Sequence, residues 1–341
     1  MTGIGEVKAG IRQKNVGRWI TENVIFLVLI LLIAIITIME PSFFSVRVLR
    51  DLLLQNSTRL IIASGMAFIL ISGGVDLGAG RLVGLAAVIA ASMSQTMEYS
   101  RRFFPDLPTL PIIVPIIGAV LMGTIVGLIN GTLIAKFNIP AFIATLGTQV
   151  AVYGASSLYF NMPPNSSQPI GGIRQELTFL GSGYIGFFPV VILAAILVLG
   201  VVWFILQSTR FGRNIYAIGG NKEAAAVTGI NVRRTTIAVY GIGSALFALA
   251  GVLECAKSGG ATSNYGNMYE FDAIAACVVG GVSNTGGVGT IPGMIAGVFI
   301  FGIISYGLTF IGVSPYWQLI IKGLIIVTAV GLDVRKYSAN K

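Results

Sequence analysis

An all-α, polytopic integral membrane protein is the fold class this sequence predicts, and three observations carry it. Of the 341 residues 55% are hydrophobic and only 10% charged, whereas soluble domains carry roughly 25% charged residues. The mean hydropathy is +0.87. Several apolar runs reach the roughly 18–20 residues that cross a hydrocarbon core about 30 Å thick as helix. They leave little chain for a globular domain, so residues 1–341 read as a single membrane domain.

The composition also limits the function classes. A net charge of +9 is compatible with nucleic acid, but the Lys and Arg residues sit at the ends of apolar runs rather than on one continuous face. That is the bias of cytoplasmic loops, not a nucleic-acid footprint. Histidine is absent, and Cys255 and Cys277 lie in or beside apolar runs without ligand spacing, as packed free thiols do. No phosphate-cradling loop, HExxH pair or nucleophile elbow occurs. The chain therefore reads as a non-enzyme that binds no cofactor or metal of its own. Nor does it show the chain of membrane carboxylates that ion-driven carriers often use, so an external energy source is expected.

Taken in order, the tail 1–18 carries Lys8, Arg12, Lys14 and Arg18 and is placed in the cytoplasm, before an uncleaved first span Ile20–Met39. Phe43–Gln55, with Arg47, Arg50 and Asp51, reads as an interfacial helix. Leu60–Ser72 and Leu82–Met97 are spans separated by GGVDLGAGR, Gly73–Arg81. Glycines and an aspartate inside apolar sequence mark a tight turn or broken helix, tolerated where protein or a water-lined cavity satisfies the backbone. Glu98–Pro111 falls outside by parity, although Arg101 and Arg102 oppose the charge bias. Spans Ile112–Ala135 and Ala141–Phe160 flank an inside turn at Lys136–Pro140, and the Pro-, Gly-, Ser- and Asn-rich Asn161–Tyr184 is an external loop.

Ile185–Leu206 returns to the cytoplasm and delivers Ser208–Arg234, the longest polar interior stretch, with Arg210, Arg213, Lys222, Arg233 and Arg234. Within it Asn221 or Glu223 can start a helix, Ala224, Ala225 and Ala226 propagate it, and Gly229 can end it, with Gly219 and Gly220 in front. Thr235–Leu253 goes out, and Ala256–Glu270 is a polar external segment. Phe271–Val313 reads as two spans broken near Gly280–Gly289, and Tyr316–Leu332 ends in a cytoplasmic tail at 333–341. The total is about ten spans, by the length rule.

ISGGVDLGAGRLVGLAA (Ile71–Ala87) and VVGGVSNTGGVGTIPGMIAG (Val278–Gly297) both set Gly-Gly-Val after an apolar run and follow it with spaced glycines. Internal duplication in transporters can leave such a trace, and the span count puts both breaks on one side. Inside the runs the ionisable residues are few: Asp76, Arg81, Glu254, Asp272 and Lys322. Capping or orienting a broken helix accounts for most of them, with a place on a transport path as the alternative.

RFGRNIYAIGGNKEAAAVTGINV (Arg210–Val232) resembles the cytoplasmic loop of monosaccharide ABC importer permeases of the ribose and galactose types. The resemblance extends through Gly73–Ala91, Gly127–Thr148, Asp272–Thr290 and Tyr306–Gly323, and is closest to the galactose/methyl-galactoside branch in NMYEFDAIAACVVGGVS and GVSPYWQ. It implies a multi-pass protein of the cytoplasmic membrane that works as a homodimer. It also implies two partners, an ATPase subunit with two nucleotide-binding cassettes that holds ATP and Mg, and an extracytoplasmic sugar-binding protein.

On that resemblance Gly219, Gly220, Asn221, Glu223, Ala224, Ala225 and Gly229 form the coupling helix and its boundaries. The family pattern varies at Lys222 and Ala226, which receive no assigned contact. Candidates for the path or its gate are Gly74, Asp76, Gly80, Asp272, Gly280, Gly281, Gly287 and Tyr306, and Tyr265, Met268 and Tyr269 are candidates for docking the binding protein. Ribose or another sugar of the family, or an ion-coupled carrier, is the alternative reading.

Overall fold

The computed structural model describes residues 24–338, so the tail 1–18 and its four basic residues lie outside the described residues. Thirteen helices run through the described residues: α1 (Val24–Met39), α2 (Val46–Ile71), α3 (Ala79–Met93), α4 (Ile113–Lys136), α5 (Ala141–Phe160), α6 (Gln175–Ser182), α7 (Val190–Ser208), α8 (Arg210–Gly220), α9 (Lys222–Val227), α10 (Val232–Ser258), α11 (Tyr269–Val279), α12 (Ile291–Phe310) and α13 (Pro315–Ser338). A small hairpin pairs β1 (Tyr184–Ile185) with β2 (Phe188–Pro189). Six helices, α2, α4, α5, α7, α10 and α12, are long and apolar enough to cross a membrane. The helices α3 and α11, counted as spans from sequence, have 15 and 11 residues. At 1.5 Å per residue they cover only part of the hydrocarbon core.

Two long helices make the centre. The backbones of α2 and α10 approach at Gly65 and Gly243, where a Cβ on Gly65 would sit 2.7 Å from the Gly243 carbonyl. On the other side of α10, α4 presents Gly123, Gly127 and Gly131, one per turn, against Ala248, Tyr240 and Ile237. Small residues at this spacing let helices approach closely where lipid supplies no hydrophobic drive for association. Tyr240, Phe68 and Phe247 are the largest fully buried side chains around this contact.

The connections gather at two ends. At one end Ile170 and Ala261 exchange backbone hydrogen bonds at 2.9 Å, Thr96 N donates to the Gly172 carbonyl, and Arg174 donates to the Leu110 carbonyl at 2.7 Å. The three segments read as external thus share one face. The opposite end holds the α4–α5 turn, α8, α9 and both glycine-rich breaks. There a cavity of about 250 Å³ is lined by Gly73, Gly74, Asn138, Ile218, Lys222 and Tyr240, among others.

Two readings of the sequence are corrected here. Phe43–Gln55 is not a separate interfacial helix: from Val46 it forms the first turns of the 26-residue α2, with Ser45 accepting from Val48 N at its N-terminus. Two of its charged residues, Arg50 and Asp51, have partners at the helix end. The Arg50 guanidinium lies 5.1 and 5.0 Å from the ring centres of Tyr184 and Phe187, and Asp51 accepts from the Tyr306 hydroxyl at 3.1 Å. Likewise Arg210–Gly220 is helix rather than loop. Thr209 caps it by accepting from Gly212 N at 3.1 Å, and the i, i+3 pair Ile215 and Ile218 is buried while the basic side chains face out.

An ionic cluster ties the half-length α11 to the long helices. Glu254 accepts from Lys257 and from the Thr58 hydroxyl, both at 2.7 Å, and from the Tyr269 hydroxyl at 3.3 Å. Replacing Glu254 with glutamine leaves the Lys257 ammonium without its counter-charge, at a cost of about 2 kcal/mol. The expected result is a thermal midpoint in detergent lowered by about 5 °C, with Thr58→Val lowering it less.

Candidate functional site

The site starts from a contact that only glycine permits. Gly219, at the end of α8, packs directly onto the Ile71 carbonyl and the Gly287 amide, so any side chain there collides with backbone. A Cβ on Gly286 would lie 2.8 Å from both the Gly219 carbonyl and the Gly73 Cα, and one on Gly287 would lie 2.9 Å from Gly220. Gly287 N donates to the Ile71 carbonyl at 2.8 Å, and the Tyr216 hydroxyl donates to the Gly289 carbonyl at 2.8 Å. The chain at Gly73, Gly286 and Gly287 has φ of +79°, +90° and +75°, a region L side chains enter only with strain. Both glycine breaks therefore touch each other and the end of α8.

Immediately beyond this junction lies α9. Asn221 caps it, its side chain accepting from Ala224 N at 2.9 Å, and Gly229 leaves it at φ +87°. Glu223 and Ala224 are exposed, Ala225 is buried and faces the body of the protein, and Val227 is 89% exposed. Val227 is thus the most exposed of the large apolar side chains among the described residues and stands on an otherwise polar surface.

The first break leads into the N-terminus of α3, which faces the N-terminus of α11. Asp76 is fully buried; its Oδ1 accepts from Gly78 N at 2.7 Å, just ahead of α3, while its Oδ2 has no partner. Across from it the segment 259–268 returns from the opposite end. Its Gly266 packs on the Gly80 carbonyl and its Tyr265 carbonyl packs on Gly84. It then enters α11, whose buried Glu270 carboxylate packs on Gly80 in the first turn of α3. Carboxylates at both N-termini complement the positive ends of the two helix dipoles. Half-helices meeting in this way are how membrane carriers build a site away from both surfaces.

The structural match to α3 differs from the one the glycine pattern indicates. Ser72-Gly73-Gly74 ends α2 and Ser258-Gly259-Gly260 ends α10, with Gly73 and Gly259 at φ +79° and +70°. Each is followed by a returning segment and a short helix. These two connections sit at opposite ends, as inverted repeats require, whereas the breaks at Gly73 and Gly286 share one end.

The remaining candidates disperse. Gly74 packs against the Tyr240 hydroxyl, which donates to the Val75 carbonyl at 3.1 Å. Gly280 is packed on Gly293 at the α11–α12 contact, and Gly281 has φ +82°. Asp272 accepts from Lys322 of α13 at 3.0 Å on the outer flank of α11. Tyr306 lies about 22 Å along α12 from the glycine junction, bonded to Asp51 and stacked with Phe310, 6.0 Å between ring centres. Of the three docking candidates, Met268 is exposed, while Tyr265 and Tyr269 are partly buried against α3 and Glu254. Either single change, Asp272→Asn or Lys322→Met, strands a charge at membrane depth. Each is expected to cost about 2 kcal/mol, and the double replacement less than the sum, read from thermal midpoints.

The sequence does not single out Glu270, Gln149 or Asn267, because its punctuation ends the break at Arg81 and makes Ala256–Glu270 an ordinary external segment. Glu270 is recoverable: an acidic residue three positions after a glycine-asparagine pair and at the start of an apolar run is a first-turn pattern.

Comparison with known proteins places the chain. The family described as "Branched-chain amino acid transport system / permease component" matches residues 48–330. The galactose/methyl galactoside import permease protein MglC of Salmonella typhimurium is 45% identical over 337 residues, 98% of this chain and 100% of that protein. MglC of Haemophilus influenzae is 49% identical over 325 residues, 94% and 96% of the two chains. The ribose import permease protein RbsC of Haemophilus influenzae is 37% identical over 319 residues, 94% and 95% of the two. No solved structure matches the chain. This protein is a multi-pass membrane protein and belongs to the family of branched-chain amino acid transport system permease components.

Proposed function

We propose that this chain is the membrane permease of an ATP-driven importer for galactose or a methyl galactoside, working as a homodimer with a two-cassette ATPase and an extracytoplasmic sugar-binding protein. The observation that carries the reading is the junction of Gly219 with Gly73, Gly286 and Gly287, which puts a surface helix in backbone contact with the breaks that shape the interior. A chain that cannot hydrolyse ATP needs such a route to receive force from one that can. The end carrying α9 also holds Lys136, Arg210, Arg213, Lys222, Arg233 and Arg234, which supports a cytoplasmic position for it and, by ten passages of the chain, for both termini. ATP and Mg then belong to the partner. The open, apolar faces of α4, α5 and α7 leave room for lipid and a second copy.

The test is uptake of radiolabelled D-galactose by liposomes holding the three-part assembly. Uptake requires internal ATP, the ATPase and the binding protein together. Uptake that persists without the ATPase and follows a sodium or proton gradient contradicts the proposal. A binding protein from the same operon that takes ribose in preference to galactose shifts the substrate to ribose.

A further inference from the structure

The polar cluster where α3 and α11 meet extends onto the open face of α5. Arg81 donates to the Asn267 side-chain carbonyl at 2.7 Å, and its guanidinium carbon lies 4.2 Å from the centre of the Tyr153 ring. Gln149 Nε2 reaches Glu270 Oε1 at 3.4 Å. Gln149 is the ninth residue of the 20-residue α5, so this face lies at mid-membrane depth. Arg81 and Gln149 are half-buried, and Tyr153 and Asn267 are exposed. A charged side chain turned to lipid at that depth costs about 2.5–3.5 kcal/mol, so this polar part of α5, unlike its apolar remainder, is set against water or protein rather than lipid.

The cluster is also incomplete. Asp76 Oδ2 and Glu270 Oε2 are buried acceptors without donors, and Arg81 Nη1 is a buried donor without an acceptor. Two helix N-termini alone would attract an anion, but each already has a carboxylate against it. A cation is opposed by Arg81 and by the same two dipoles. What remains is a neutral ligand that both donates and accepts, which is the chemistry of a sugar's adjacent hydroxyls.

We infer that Arg81, Gln149, Asn267 and Glu270, with the Tyr153 ring beside them, form a weak binding site for a neutral monosaccharide halfway along the path. Sugar hydroxyls donate to Glu270 and accept from Arg81 and Gln149, and Asn267 fixes the guanidinium. The site rests on the permease reading and adds that the path itself recognises hydroxyls.

The experiment is saturation-transfer NMR with D-galactose on the detergent-solubilised permease–ATPase complex, without the binding protein. The variants are Gln149→Ala, Asn267→Ala and Arg81→Lys, with Asn264→Ala, an exposed residue outside the cluster, as the control. Transfer to galactose is expected in the wild-type and control complexes and at least fivefold weaker in the three variants, each of which still elutes with its ATPase. Absence of transfer in the wild type overturns the inference, and so does transfer of wild-type strength in all three variants. ATP-driven uptake by the wild-type assembly is measured alongside. Uptake without galactose contact removes only this site, whereas loss of uptake removes the permease reading itself.

Discussion

Replacing Gly219 with valine is expected to reduce ATP-driven galactose uptake at least a hundredfold while leaving the ATPase attached. The Cβ of any residue there meets the Ile71 carbonyl and the Gly287 amide, neither of which can swing aside as a side-chain terminus could. Overpacking of this kind costs about 3 kcal/mol at its upper range. The strain falls where α8 bears on both breaks, so it is relieved by parting α8 from them, and movement of α9 then no longer reaches the interior. Because α9 is capped locally by Asn221, its own shape survives. Co-purification of the ATPase with the Gly219→Val permease, together with uptake, separates this outcome from unfolding. Tyr216→Phe removes only the hydrogen bond to Gly289 and is expected to give a milder loss of about threefold.

The second large effect is expected at α9. Val227→Glu puts a carboxylate where an apolar side chain stands 89% exposed, and Ala224→Glu does the same one turn earlier. Each is expected to release the ATPase from the purified permease and reduce uptake at least tenfold, with the thermal midpoint of the isolated permease unchanged. Ala225 is the wrong probe for docking, since it is buried and a charge there disturbs the packing of α9 on the protein itself. Gly229 is likewise a conformational position, at φ +87°, and its replacement strains the turn rather than the contact. Burial and backbone conformation thus divide the residues that the family resemblance groups together into exposed positions and shape-determining ones.

How much was legible in the chain follows from the range of each interaction. The apolar runs and the α9 cap are local signals, and α4, α5, α9 and α12 lie close to where their runs and punctuation place them. The half-length of α3 and α11 was not legible, because hydropathy cannot distinguish a short helix plus a returning segment from a full span. The glycines of 73–81 and 280–289 read as two instances of one motif, yet their shared property is a contact with a third segment, Gly219, more than sixty residues from either in sequence. Asp76 stands out in sequence as an oddity in an apolar run. Its counterpart Glu270 carries only the signature of a helix first turn, and its place opposite Asp76 emerges only once the segment before it is known to turn back between helices. Tyr306 stands out in sequence as an aromatic in a stretch that matches the family, and the structure gives it Asp51 as a partner far from the junction.

The central claim, that α9 is the point at which an ATPase drives the path, is tested most directly by a cross-link. Cys255 and Cys277 are buried, so a cysteine introduced as Val227→Cys is the accessible thiol among the described residues. In the assembled importer this position is expected to form a disulfide with a cysteine placed in the surface groove of the ATPase, and uptake is expected to stop until the bond is reduced. A cross-link to the ATPase from Ser167→Cys, on the opposite end of the protein, with none from position 227, would contradict the account.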